Sequence, residues 1–132
     1  MEKIIIEPTP NTPKVILNAE ENIFEISGES RPFDVPQFYS PLLGWLDRFS
    51  IHLEEQKDPA AFYEFKFLFE YFNSLSAKYI LDFCKKLSKI RSEGNNIIAK
   101  WHYEEGDDYM HETGHEMSRI SQLPFEFVEI KL

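Results

Sequence analysis

The stretch from Phe62 to Phe72 constrains the fold more than any other part of the chain. Tyr63, Phe65, Phe67, Phe69 and Tyr71 take every second position, with Glu64, Lys66, Leu68 and Glu70 between them. A period of two belongs to a β-strand, whose successive side chains point to opposite faces, so one face of this strand is expected to be wholly aromatic. Asn73 and Ser74 follow, and both residue types cap helices. Ala77, Ile80, Leu81, Cys84, Leu87 and Ile90 then recur at helical spacing, in a helix predicted to end near Gly94. Ile97 to Tyr103 reads as a strand. Asp107 to Ile120 reads as a helix with acids at its start, where the helix dipole favours them. Pro124 introduces a last strand, Phe125 to Ile130. Strict alternation of strand and helix argues for parallel strands joined by right-handed crossovers.

Upstream, Lys14 to Leu17 and Ile23 to Ser27 are short apolar runs around a polar turn from Asn18 to Asn22, a hairpin pattern. Gly28 to Asp34 reads as a loop. Val35, Phe38, Tyr39, Leu42, Leu43, Leu46 and Phe49 then fall on one helical face. Pro41 interrupts that face, so the helix either kinks there or begins at a Ser40 cap. Glu54 to Pro59 is expected to be a charged connection. The predicted order is β-β-α-β-α-β-α-β: an α/β fold in a single domain over residues 1–132, with an N-terminal β-hairpin followed by alternating helices and largely parallel strands. In such sheets, sites lie at the carboxyl ends of the strands, here Phe72 to Ser76 and Tyr103 to Asp108.

Composition narrows the class. With 42% hydrophobic residues, twelve of them Phe, the chain can bury a core without disulfide or metal staples. Its one cysteine, Cys84, has no partner in the chain and reads as a small core residue in a reducing compartment. The opening MEKIIIEPTP lacks the pattern of a secretory signal, and no apolar run approaches the ~18 residues of a membrane span. A cytoplasmic, soluble protein is expected. The net charge of −9 repels phosphate backbones and anionic lipid, which disfavours nucleic-acid and membrane partners. Lys85, Lys86, Lys89 and Arg91 cluster where a helix ends, a favourable place for cations.

His111-Glu112-Thr113-Gly114-His115 matches the zinc-hydrolase pattern HExxH, in which two histidines one turn apart hold zinc and the glutamate acts as general base. Its surroundings argue against catalysis. The motif is flanked by Asp107, Asp108, Glu116 and Arg119, Gly114 weakens the helix by ~1 kcal/mol, and little chain follows to supply a third ligand. No stoichiometric zinc is expected. The acids from Glu104 to Asp108 lack the spaced oxygen ligands of a calcium loop. Glycine-rich phosphate loops and nucleophile elbows are absent, and no cofactor is implied. What remains is Asn73-Ser74-Leu75-Ser76. A serine at a strand-to-helix junction is expected to be exposed, and a phosphate there would add about −1.5 to −2 charges at one spot.

These residues, with Thr12-Pro13, Val15, the run Ile26 to Ser30 with Pro32, Leu46 and Phe49, Tyr71 to Lys78, Trp101-His102-Tyr103, Asp107-Asp108, Met110, Gly114, Glu116 and Pro124-Phe125, resemble the SiaC family of regulatory phosphoproteins in order and spacing. The family's fold is similar to the STAS domains of anti-sigma-factor antagonists. The resemblance implies that Ser74 accepts phosphate from a protein kinase and loses it to a PP2C-type phosphatase. It also implies that the unmodified form binds and activates an effector such as a diguanylate cyclase. Leu75 stands where the family's best-understood members have a second small hydroxyl residue, which makes Ser76 a rival acceptor. Asn73 is expected to orient the loop, Leu75 to meet the partner, and Lys78 to face the phosphate one turn on. Two other readings stand beside this one: a small zinc-dependent hydrolase using His111, Glu112 and His115, and a STAS-like scaffold that is never phosphorylated.

Overall fold

The computed structural model describes all 132 residues. Six strands and three helices follow one another as β1 (Ile4–Ile6), β2 (Lys14–Asn18), β3 (Ile23–Ser30), α1 (Val35–Gln56), β4 (Phe62–Phe72), α2 (Ser74–Ser92), β5 (Asn96–Glu104), α3 (Asp108–Ser121) and β6 (Phe125–Ile130). They form one sheet in sequence order, β1-β2-β3-β4-β5-β6. The first three strands are antiparallel, and β3 to β6 run parallel. Each crossover from β3 onward advances one strand in the same direction. Right-handed connections therefore put all three helices on one face of the sheet. There α1 packs on α2, and α2 on α3.

The core lies between the helices and that face. Phe24, Ile26, Phe65, Phe67, Phe69, Ile97, Ala99 and Trp101 supply the sheet side, and all are buried. Trp45 and Phe49 of α1 cover Phe24, while Phe83 of α2 meets Phe65 and Phe67 edge-on. Phe24 and Phe65 stack at 4.3 Å across β3 and β4. The opposite face is open to solvent and laced with charge. There Lys14 pairs with Glu25 at 3.5 Å, and Glu64 with Lys100 at 3.0 Å.

Three features depart from the sequence reading. Ile4–Ile6 forms an additional edge strand; three residues carry no periodicity, and only pairing with Val15–Leu17 makes them a strand. Helix α1 is continuous from Val35 to Gln56, with Pro41 inside it, so it neither begins at Ser40 nor stops before Glu54. Its cap is Asp34, whose side chain accepts from the Gln37 N–H at 3.1 Å. Pro41 leaves the Gln37 carbonyl without a helical donor, but both residues sit on the exposed side, where water can satisfy it. The aromatic face of β4 also breaks near its end. Gly28 pairs with Phe69 but Glu29 pairs with Tyr71, so Glu70 is an extra residue. That bulge reverses the alternation, turning Phe72 into the core and Tyr71 out to solvent.

Candidate functional site

The bulge delivers β4 to a tightly held junction. The Asn73 N–H donates to the Ser30 carbonyl at 3.0 Å, tying it to the end of β3. Asn73 is the cap of α2, and its Oδ1 accepts from the Ser76 N–H at 2.8 Å. Ser74 is therefore the first helical residue, exposed, at the carboxyl end of an interior parallel strand. Its own N–H and that of Leu75 belong to the first turn, where a helix has no internal acceptors and where anions are favoured.

The two candidate serines differ sharply in environment. Ser76 is fully buried. Its hydroxyl donates to the Ser30 carbonyl at 3.1 Å and accepts from Ser30 Oγ at 3.0 Å. Ser30 Oγ in turn meets the hydroxyl of Tyr39 at 2.5 Å. A consistent set of donors runs from Tyr39 to Ser30 Oγ, from Ser30 to Ser76 Oγ, and from Ser76 to the Ser30 carbonyl, so every hydroxyl proton is used. Burial pushes the Tyr39 phenol up to about 12, against the opposing pull of its serine partners. Ser76 Oγ becomes accessible only if the first turn of α2 opens, whereas Ser74 is exposed as it stands. This hydroxyl network was not visible in the sequence, because it joins residues 9 and 46 positions apart.

Leu75 projects outward at 45% exposure. Lys78 is also exposed, and its ammonium lies 5.0 Å from the centre of the Tyr79 ring. Other large apolar side chains stand exposed at the same carboxyl edge of the sheet. Phe33, three residues beyond β3, is fully exposed, and Tyr71 and Tyr109 are about half and two-thirds exposed. Isolated exposed apolar residues are ordinary, but these four all stand at or just beyond the carboxyl ends of the parallel strands, the end where such sheets carry their sites. Acids border it: Asp34 and Asp107 cap α1 and α3, and Glu29 holds Arg31 at 2.8 Å. A cleft of about 550 Å³ opens at the other end of the sheet between Leu53, Lys57, Asp58 and Glu93.

The HExxH residues lie on α3, over the β5–β6 edge. His111 stacks on Tyr103 and His115 on Phe127. Glu112 points to solvent. No cluster of three or more His, Cys, Asp or Glu side chains that could hold a metal exists in the structure, so the third ligand of a hydrolytic zinc centre is missing. Cys84 is fully buried, and burial pushes its thiol up, away from the thiolate a nucleophile needs. No helix is long and apolar enough to cross a membrane.

Comparison with known proteins accounts for this arrangement. The structure of apo-SiaC from Pseudomonas aeruginosa superposes with a TM-score of 0.81 at 20% identity, covering 97% of this chain and 99% of that one. A crystal structure of the diguanylate cyclase SiaD in complex with its activator SiaC, from the same organism, contains a chain that matches with a TM-score of 0.83, also at 20% identity, over 96% of this chain and 99% of that one. An uncharacterized protein of Pseudomonas aeruginosa strain UCBPP-PA14 is 22% identical over 125 residues, 95% of this chain and 94% of its own length. At such identities the solved structures speak to the fold. The family model for the SiaC family regulatory phosphoprotein matches residues 6–130. With nearly its whole length matched, this chain belongs to the SiaC family of regulatory phosphoproteins, and it is a regulatory protein rather than an enzyme.

Proposed function

We propose that this protein is a phosphorylation-controlled binding module whose switch is Ser74. Unmodified, it docks and activates a signalling effector of the diguanylate cyclase type. A protein kinase turns it off by transferring phosphate to Ser74 Oγ, and a PP2C-type phosphatase restores it. The observation that carries this reading is the exposed Ser74 hydroxyl at the first position of α2, beside exposed Leu75 and on the same sheet edge as Phe33 and Tyr71. The complex of SiaC with the cyclase SiaD supports the choice of effector.

The physical logic is a charge placed where the protein itself tolerates it and a partner does not. At the start of α2 the phosphate meets the positive end of the helix dipole, and Lys78 lies one turn further along. The folded chain therefore loses little. A partner packed on Leu75, Tyr71 and Phe33 would have to bury a dianion beside apolar surface, which costs several kcal/mol unless a cation meets it. Moving a population from mostly bound to mostly free needs ~5 kcal/mol of differential affinity, which is of that order. Asn73 fixes the geometry of the first turn, and Leu75 supplies contact. Two experiments test the reading. Phosphosite mapping of protein recovered from its host should find phosphate on Ser74. A native pull-down with Ser74→Ala should recover the effector, and one with Ser74→Asp should recover less. Phosphate found elsewhere with Ser74 unmodified, or equal recovery by both variants, would refute it.

A further inference from the structure

The structure assigns to His111 and His115 an exchangeable two-histidine chelate for a divalent transition ion, Cu²⁺ above all, with its remaining coordination positions open to solvent or to a partner. This site is separate from the Ser74 junction and has no part in hydrolysis. The two Nε2 atoms lie 3.1 Å apart, close enough for one ion to bridge them. An ion bound to imidazole at about 2.0–2.1 Å, with an N–M–N angle between cis-square and tetrahedral, needs those nitrogens roughly 2.8–3.4 Å apart. The observed spacing falls inside that window.

The rings are also held in place, which distinguishes them from two mobile surface histidines. His111 lies flat on Tyr103, with centroids 4.0 Å apart and planes at 6°. His115 lies on Phe127 at 3.9 Å and 21°. Gly114, between them, lets α3 approach the sheet closely enough for both stacks to form: a Cβ there would come within 2.4 Å of Trp101. Without metal, one imidazole donates Nε2–H to the other, and a bound ion replaces that shared proton. The donor ring then carries its proton on Nδ1, so both Nε2 lone pairs face the ion. Acids along the helix, Asp107, Asp108, Glu112 and Glu116, together with the net charge of −9, favour a cation at this surface. Two imidazoles and water suit Cu²⁺ best among divalent ions, with Zn²⁺ and Ni²⁺ weaker. The absence of a third protein ligand makes the ion exchangeable.

The test is a titration of tag-free protein with Cu²⁺, then Zn²⁺, followed by calorimetry and by the NMR signals of the histidine ring protons. The proposal expects one saturable Cu²⁺ site, tighter than Zn²⁺, that broadens the His111 and His115 signals before those of His52 and His102. It expects His111→Ala and His115→Ala each to weaken Cu²⁺ binding tenfold or more, with circular dichroism confirming the fold. Glu112→Gln should bind as the parent does, because that carboxylate is exposed and is not a ligand. Failure to saturate, first broadening at His52 or His102, or undiminished affinity in either alanine variant would overturn it.

Discussion

Replacing Gly114 with alanine sets two known effects against each other. Helix propensity alone predicts stabilisation, because Ala is favoured over Gly by ~1 kcal/mol in a helix interior. The structure predicts the reverse. A Cβ on Gly114 would stand 2.4 Å from both Cδ1 and Nε1 of Trp101 and 2.9 Å from Cε1 of Phe127. Trp101 cannot move aside cheaply. It is fully buried, stacks on Phe125 with centroids 5.4 Å apart, and donates Nε1–H to the Met110 carbonyl at 3.0 Å. Either α3 lifts off the sheet, an overpacking cost of roughly 1–3 kcal/mol, or the indole rotates and leaves a buried donor unpaired, at a similar cost. Contacts this short place the cost near the upper end, about 3 kcal/mol. Subtracting the propensity gain leaves a net loss of about 2 kcal/mol. For a chain of this size that lowers Tm by roughly 6–10 °C. Thermal melts followed by far-UV circular dichroism read it directly. A Gly114→Ala protein as stable as its parent, or more so, would refute the close-packing reasoning.

Tyr39→Phe removes one end of the buried hydroxyl network, and losing that hydrogen bond should cost ~1 kcal/mol at neutral pH. Because the Tyr39 phenol is raised from 10.0 to about 12, its stabilising contribution is fully present below pH 10 and is lost as pH rises through 12. Unfolding free energies from urea titrations should therefore fall more for the parent than for Tyr39→Phe between those values, by roughly 2–3 kcal/mol; equal slopes would contradict the burial argument. Phe33→Ser should leave stability within ~0.5 kcal/mol, since the ring is fully exposed, yet weaken effector binding by roughly tenfold or more, and an unchanged affinity would remove Phe33 from the docking surface. Cys84 should resist thiol reagents in the folded state and react only on denaturation, because it is fully buried; rapid labelling of native protein would contradict its placement.

Much of this fold was legible in local pattern. The aromatic alternation from Phe62 and the apolar stripe from Ala77 marked an interior strand and the helix after it, and Asn73 between them is the cap the residue type suggests. Features created by distant contacts were not legible. Ile4–Ile6 is a strand only because β2 offers it an edge. Tyr71 faces solvent because a bulge at Glu70 reverses a period that the letters alone continue. Gly114 reads as a weak point in a helix until Trp101 is placed beneath it. Ser76 read as a rival to Ser74, and its burial beside Ser30 and Tyr39 could not be foreseen, since no spacing rule links them to it. The histidine pair was visible as a motif, but the close approach of its nitrogens depends on rings stacked upon β5 and β6.

The most direct test of the switch is the affinity of the effector for three forms of this protein: unmodified, phosphorylated on Ser74 by its cognate kinase, and Ser74→Asp. Tight binding is expected of the first and a loss of roughly several thousandfold, about 5 kcal/mol, in the second. The third should fall between them, since one carboxylate carries less charge than a phosphate. Equal affinities across the three forms, each shown to be folded, would contradict the switch.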